Sequence, residues 1–368
     1  MNQDLLYQLA LMNVPHIGSV QARILVDKLG SAEAIFKSSK NHLEKIEGIG
    51  SIRAKRIKEF KGFDICEREI AFIHRYGIET FFLTDKKYPQ RLLHCYDPPS
   101  LLFYKGKANL NASKIIGVIG TRNNTDYGKQ QTEKLIRDLS TEQILVISGL
   151  AFGIDAIAHK TAIKNGLPTI GVLAHGLDQV YPPEHTNLAK DMIRKGGGLL
   201  TEFPSRTKPD KHNFPTRNRI VAGLCDAIIV IETGVKGGSM ITAELANGYN
   251  KDVFAFPGKV SDAKSTGCNQ LIQQNKAILL NDAEQLLEAL GWKETIKKNV
   301  PKQKELFIQL NPEEKIIVDM LQEKASLHID EIKRFSNLSN STVAATILNL
   351  ELNNIIVSLP GKIYRLAN

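Results

Sequence analysis

A chain of 368 residues exceeds one ordinary core and points to two or three domains. Its apolar share of 42% and charged share of 24% are those of a folded globular protein, which excludes a disordered chain. A net charge of +9 favours a polyanionic partner, nucleic acid before membrane. No apolar run approaches the roughly 18 residues that span a bilayer, and no basic amphipathic helix stands out. The N-terminal MNQDLLYQLALMNVPHIG has an early acid and no basic stretch, so it is no secretory signal, and the expected compartment is the cytoplasm. Cys66, Cys95, Cys225 and Cys268 are scattered without a C-x-x-C pair or a nearby histidine at ligand spacing. They read as reduced, mostly buried thiols, and no metal site is expected.

In chain order, residues 1–75 read as short helices with two similar hairpins. Val14-Pro15-His16-Ile17-Gly18 precedes SVQARILVDKLG, and Glu47-Gly48-Ile49-Gly50 precedes SIRAKRIKEF. An apolar-glycine turn before a helix with small and basic residues is the pattern of a helix-hairpin-helix (SAM-like) domain. Such turns either present backbone N–H groups to a DNA phosphate or only pack. The next domain spans 76–292. Its first part, from Gly77 to Leu110, has short apolar runs broken by Tyr88-Pro89 and Asp97-Pro98-Pro99 and reads as extended structure. Its core, 111–292, alternates KIIGVIG, ILVIS, TIGVLA, GLLTEF, AIIVIE, DVFAFP and AILL with helical stretches. The fold class is therefore α/β, with βαβ units and a mostly parallel sheet covered on both faces.

Residues 293–310 are charge-rich and contain Pro301, which marks a linker. Residues 311–368 read as three helices, PEEKIIVDMLQE, HIDEIKRFS and SNSTVAATILNLELNN, then two strands in IIVSLPGKIYRL. That is a winged helix-turn-helix, with Ser339 as N-cap of the third helix. This third helix, in the reader's position, lacks Lys and Arg and carries Glu351; Asn340, Asn349, Asn353 and Asn354 are its amides, and Lys333, Arg334, Lys362 and Arg365 flank it. DNA-reading helices bring basic or amide groups to the groove, so a protein contact or a weak backbone contact is favoured here.

Ligands of open α/β sheets bind at strand C-termini. The site is expected in the loops Gly120-Thr121-Arg122, Ser148-Gly149, His175-Gly176, Glu202-Phe203-Pro204, Thr233 to Ser239 and Pro257-Gly258. The first turn, GVIGTRNNTDYG, lacks G-x-G-x-x-G, and no G-x-x-x-x-G-K-[ST], H-E-x-x-H or G-x-S-x-G occurs. No cofactor is expected. Asp155 and His159, at i and i+4, read as a helix-surface or supporting pair rather than a catalytic base. One enzyme reading stays open. GGSMITAE, ending at Glu244, resembles the P-G-G-x-G-T-x-x-E motif of nucleotide phosphoribohydrolases, although no proline precedes the glycines and the spacing differs.

Binding accounts for more residues. Lys236, Gly237, Gly238 and Ser239 put a cation and a glycine turn at a helix N-terminus, where free N–H groups and the macrodipole favour an anion. Arg122 follows the turn of Gly120 and Thr121 in the same way and can fork onto phosphate oxygens. Arg217 and Arg219, one residue apart in FPTRNRIVAG, cannot point the same way on a helix. One is expected to face phosphate and the other a structural carboxylate. Phe152, Phe203, Phe214 and Phe256 lie at or near the loops, where aromatics serve either the core or as platforms for bases.

At these residues the chain resembles the DprA (Smf) family of bacterial DNA-processing proteins. The resemblance runs through IIGVIGTRNNTDYG, VISGLAFGIDAIAHKTA, GVLAHGLDQVYPPEH, LLTEFP, FPTRNRIVAGLCDAIIVIE, KGGSMITAELA, FAFPGKV and GCNQLIQQNKA. It implies an extended Rossmann-like domain that binds single-stranded DNA without sequence preference, forms homodimers and loads RecA during natural transformation, with no catalysis. Carried over by motif, the family's DNA-binding arginine in G-[ST]-R is Arg122 and the lysine of K-x-G-S is Lys236. Arg217 and Arg219 match R-N-R, and Phe203 matches the phenylalanine after the fourth strand. Ala174-His175-Gly176 departs from Gly-small-Gly, so His175 is expected either to narrow the site or to donate to phosphate. The stretch from Gly267 to Leu280 is expected to form part of the dimer interface. Two other functions remain as alternatives: the phosphoribohydrolase-like enzyme, and a duplex-DNA regulator acting through the winged helix.

Overall fold

Runs of β-branched residues with no polar alternation suit strands covered on both sheet faces; all seven runs singled out above form strands, six of them largely buried and the last, Ile278–Leu279, exposed at the sheet edge. The computed structural model describes residues 3–293, 310–324, 326–353, 355–359 and 361–367. It divides into two units, Met1–Lys293 and Glu294–Asn368. The expected linker lies outside the described residues except at Lys293 and Leu310, as does Asn354.

In the first unit the strands are β1 (Glu79–Phe82), β2 (Leu101–Gly106), β3 (Ile115–Ile119), β4 (Leu145–Ser148), β5 (Thr169–Val172), β6 (Gly198–Thr201), β7 (Ala227–Val230), β8 (Asp252–Ala255) and β9 (Ile278–Leu279). They form one sheet in the order β1-β2-β6-β5-β4-β3-β7-β8-β9. From β6 to β9 every pairing is parallel, and β2 joins β6, and β1 joins β2, antiparallel. The fold is thus the mixed α/β, Rossmann-like one expected. Within β3, Ile115 and Ile119 enter one core and Ile116 and Val118 the other, the period of two that a doubly covered strand requires. The helices Asn213–Leu224 and Gly238–Gly248 supply the first core, and Asp126–Asp138, Ile154–Lys164 and Ala283–Ala289 the second.

The segment from Gly77 to Leu110 is less extended than its prolines suggest. Between β1 and β2 it makes a one-turn helix, Gln90–Leu93, whose Arg91 forks onto Asp226 at 2.6 and 2.8 Å. The N-terminal helices, from Gln3–Asn13 to Phe63–Tyr76, bury their own core. Phe82, Leu101 and Phe103 of β1 and β2 enter that core, while Phe81 and Tyr104 face the sheet's other core. The helical module is therefore fused to the antiparallel flank of the sheet. All four cysteines are buried and free.

In the second unit the helices Pro312–Glu323, Ile329–Phe335 and Asn340–Leu352 pack around Ile317, Ile332, Val343, Ile347 and Leu350. Strands β10 (Leu327–His328), β11 (Ile356–Leu359) and β12 (Ile363–Leu366) form the wing, in the order β10-β12-β11. The hydroxyl of Ser339 accepts the Thr342 N–H at 3.1 Å and caps the third helix.

Candidate nucleic-acid interface

The chain order places a switch point beside β3. The strands β4, β5 and β6 follow on one side and β7 and β8 on the other, so the connections leave β3 and β7 in opposite directions and open a crevice at their C-terminal ends. A cleft of about 720 Å³ lies there, lined by Gly120, Thr121, Arg122, Gly149, Asp155, Tyr181, Lys211, Phe214, Arg217, Asn218, Thr233, Gly234 and Gly237 to Ser239, among others.

Its first wall is the turn after β3. The N–H of Thr121 donates to the Glu232 carbonyl at 2.7 Å, and the Thr121 carbonyl accepts from Ile154 N at 3.2 Å. Gly153 permits this approach: its φ is 75°, and a Cβ there would meet the Thr121 oxygen at 2.2 Å. Arg122 is left exposed, with its guanidinium 5.2 Å above the Phe214 ring. A cation on an aromatic face keeps its N–H groups edge-on for an anion.

The second wall is the turn after β7. Gly237 is the N-cap of Gly238–Gly248 and offers no side-chain cap. Among the described residues no acceptor meets the N–H groups of Gly238 and Ser239, so they remain for an anion. The Ser239 hydroxyl is turned to Thr233 Oγ1 at 2.7 Å. Lys236 is exposed between lining residues Gly234 and Gly237, at the rim rather than in the lining.

The floor is Arg217, only 5% exposed. Its Nη1 donates to the Gly149 and Val172 carbonyls and its Nε to Asn218 Oδ1 at 3.1 Å. Gly149 must lack a side chain, because a Cβ would sit 2.5 Å from that guanidinium. Burial pushes the Arg217 pKa down to about 10, against the pull of Asp155. Asp155 accepts the Gly149 N–H at 3.0 Å, and its own burial raises its pKa while Arg217 opposes the rise.

Arg219 goes the other way. It pairs with Glu202, donates to the Asp97 carbonyl and reaches Ser19 Oγ at 3.2 Å, outside the cleft lining. Phe203 is half-buried and is not brought to the cleft, and Phe256 is core. Phe152 is exposed and sits edge-on to His185, while Phe214 lines the cleft. Of the two readings of Asp155 and His159, a helix-surface pair or a supporting one, the geometry fits the supporting one. Both are buried, because the helix Ile154–Lys164 is covered on that side: Asp155 holds the loop after β4 and His159 Nδ1 meets Thr169 Oγ1 at 2.6 Å. His175 is not free for phosphate, since Nδ1 meets the Gly176 carbonyl at 2.9 Å and Nε2 accepts the Tyr181 N–H at 3.2 Å. Glu244, the acid of the enzyme reading, is exposed 3.8 Å from Lys276 and outside the lining. Sequence reasoning missed Tyr181 and Lys211. The basic run K-P-D-K just before FPTRNR was the available signal for Lys211.

The cleft wall is braced from the helical module. Glu69, buried on the helix Phe63–Tyr76, accepts the Ser205 N–H at 2.8 Å and its hydroxyl at 2.5 Å. Asp178 accepts Arg206 N at 2.9 Å, and Gly176 N reaches the Thr207 carbonyl at 3.1 Å. The chain then enters the cleft at Pro209, Asp210 and Lys211. Among the described residues, no group of three or more acidic, histidine or cysteine residues suited to a metal occurs, and no helix is long and apolar enough to cross a membrane.

Family models match three stretches: DNA recombination-mediator protein A over residues 79–291, a SAM-like helix-hairpin-helix tandem over 9–60, and the DprA winged helix domain over 302–362. Protein Smf of Synechocystis is 31% identical over 99% of this chain and 99% of its own. DNA processing protein DprA of Bacillus subtilis is 42% identical over 61% of this chain and 75% of its own. The crystal structure of the Streptococcus pneumoniae DNA processing protein A superposes with a TM-score of 0.66 at 31% identity, covering 78% of this chain and 98% of that one. The Helicobacter pylori protein, described for its single-stranded DNA binding mode, superposes with a TM-score of 0.52 at 30% identity, covering 58% of this chain and 95% of that one.

Proposed function

We propose, for a chain that belongs to the DNA recombination-mediator protein A (DprA) family, that it binds single-stranded DNA without sequence preference and loads RecA onto it. It acts as a binding protein, in the cytoplasm, during natural transformation or recombination. One observation supports this above the rest: two anion-ready turns, at Gly120 to Arg122 and at Lys236 to Ser239, meet over one buried arginine in a single cleft. Successive phosphates of a running backbone use such paired turns, and every partner there is blind to base identity. Arg122 and Lys236 neutralise phosphates from the rim, Arg217 from the floor, and Phe214 offers a face to a base. Arg219 and Phe203, matched by motif, take supporting places.

Each phosphate neutralised on a single strand adds roughly 0.7 to the log-log salt slope. Arg122→Ala and Lys236→Ala should each weaken oligo-dT binding and flatten the slope by about that amount while the protein stays folded. Folded variants that bind as wild type does would refute the assignment. RecA loading is read by RecA-dependent strand pairing on protein-coated single strands. The dimer is proposed through residues 267–280, where the edge strand β9 leaves Ile278 and Leu279 exposed. For the functional division we propose 1–75, 76–292, 293–310 and 311–368.

A further inference from the structure

We infer that Tyr181 is a base-stacking platform of the cleft, a second aromatic site beside Phe214; this deepens the proposed single-strand binding and rests on it. Exposed aromatic rings are common and by themselves mean little. Tyr181 stands apart through its neighbours. The residue is 44% exposed yet lines the cleft. Its ring centroid lies 6.1 Å from that of Phe214 at an interplanar angle of 51°, and Phe214 in turn carries the Arg122 guanidinium at 5.2 Å. Phe214 thus neighbours both of the other flat groups in one cationic cleft. A single strand is held by this combination, its backbone on cations and its bases on π-faces.

The backbone under the Tyr181 ring is ordered before anything binds. The Tyr181 N–H donates to His175 Nε2 at 3.2 Å, which requires a lone pair there. The proton is then on Nδ1, which donates to the Gly176 carbonyl at 2.9 Å. His175 is 1% exposed, so the anchor beneath Tyr181 is fixed in one tautomer inside the protein. With the backbone fixed in advance, only side-chain freedom is left to lose when a base lands on the ring. Among the described residues no partner meets the Tyr181 hydroxyl, so the ring is not held by its polar end.

The test separates base contacts from phosphate contacts. Oligo-dT and an abasic strand of the same length are titrated against wild type, Tyr181→Leu and Tyr181→Phe. Tyr181→Leu should lose about tenfold in affinity for oligo-dT, keep its affinity for the abasic strand, and leave the salt slope unchanged. Tyr181→Phe should restore oligo-dT binding. Equal losses on both strands, or no loss on oligo-dT, would overturn the inference. If Tyr181→Leu does not fold, Tyr181→Gln carries the same comparison. Wild type that binds neither strand would instead bring down the proposed function and this platform with it, whereas Arg122→Ala flattening the slope while Tyr181→Leu changes nothing would remove the platform alone.

Discussion

The helix Asn213–Leu224 carries two arginines within three positions and keeps both buried, whereas Asn340–Leu352, the third helix of the winged unit, carries no cation. The outward face of the latter is Ser341, Ala344, Ala345, Leu348, Asn349 and Leu352, with Leu348 55% and Leu352 72% exposed. By fold alone the winged helix is the nucleic-acid reader of the pair. In the binding proposed here it is the sheet helix, whose Arg217 lines the cleft together with Gly238 and Ser239, whose N–H groups are free among the described residues. On that proposal, place in a fold and role in binding come apart.

The largest expected effect divides the two arginines. Arg219→Ala strands the carboxylate of Glu202, whose pKa burial already raises. It should cost about 3–5 kcal/mol in urea unfolding and leave the salt slope of the folded fraction unchanged. A flattened slope would move Arg219 into the phosphate path. The next effect divides the units. Burial drives the His159 pKa down to about 3. Its unfolded counterpart binds a proton below roughly 6.5, so stability is full above that pH and falls as pH drops toward 3. Between pH 7 and 5 the first unit should lose about 2 kcal/mol more than a His159→Gln variant does. Asp155 and Glu202, with raised pKa values, act with the opposite sign and are common to both proteins. The loss belongs to the unfolding transition of the first unit, where His159 is buried.

Smaller effects sharpen the winged side. Ser339→Ala removes the cap of the third helix and should cost that unit about 1 kcal/mol, read as a lowered melting transition without a change in oligo-dT affinity. Leu348→Ser with Leu352→Ser should shift stability by no more than about 0.5 kcal/mol. A loss of DNA affinity in that double variant would return the winged helix to the DNA site.

The strands were legible because a doubly covered parallel strand leaves a continuous apolar run, and the cleft because its loops follow from those strands. Arg122 and the Lys236 turn could be read from their place after a strand or before a helix. Arg217 and Arg219 could be separated in principle but not assigned, since the phase of their helix depends on which side Gly149 leaves open. Tyr181 was invisible for a similar reason. It lies in a long connection after β5, where no periodicity reports direction. Asp155 and His159 share a helix face in any helix, but only tertiary packing says that the face is covered.

The contact between Glu69 and Ser205 makes the helical module a brace and not an interchangeable cassette. A chain beginning at residue 77 would uncover Phe82, Leu101 and Phe103 and let go of the strand of backbone that delivers Lys211 to the cleft. A module grafted from a relative would have to bring a matched acceptor to position 69 before its own surface mattered at all.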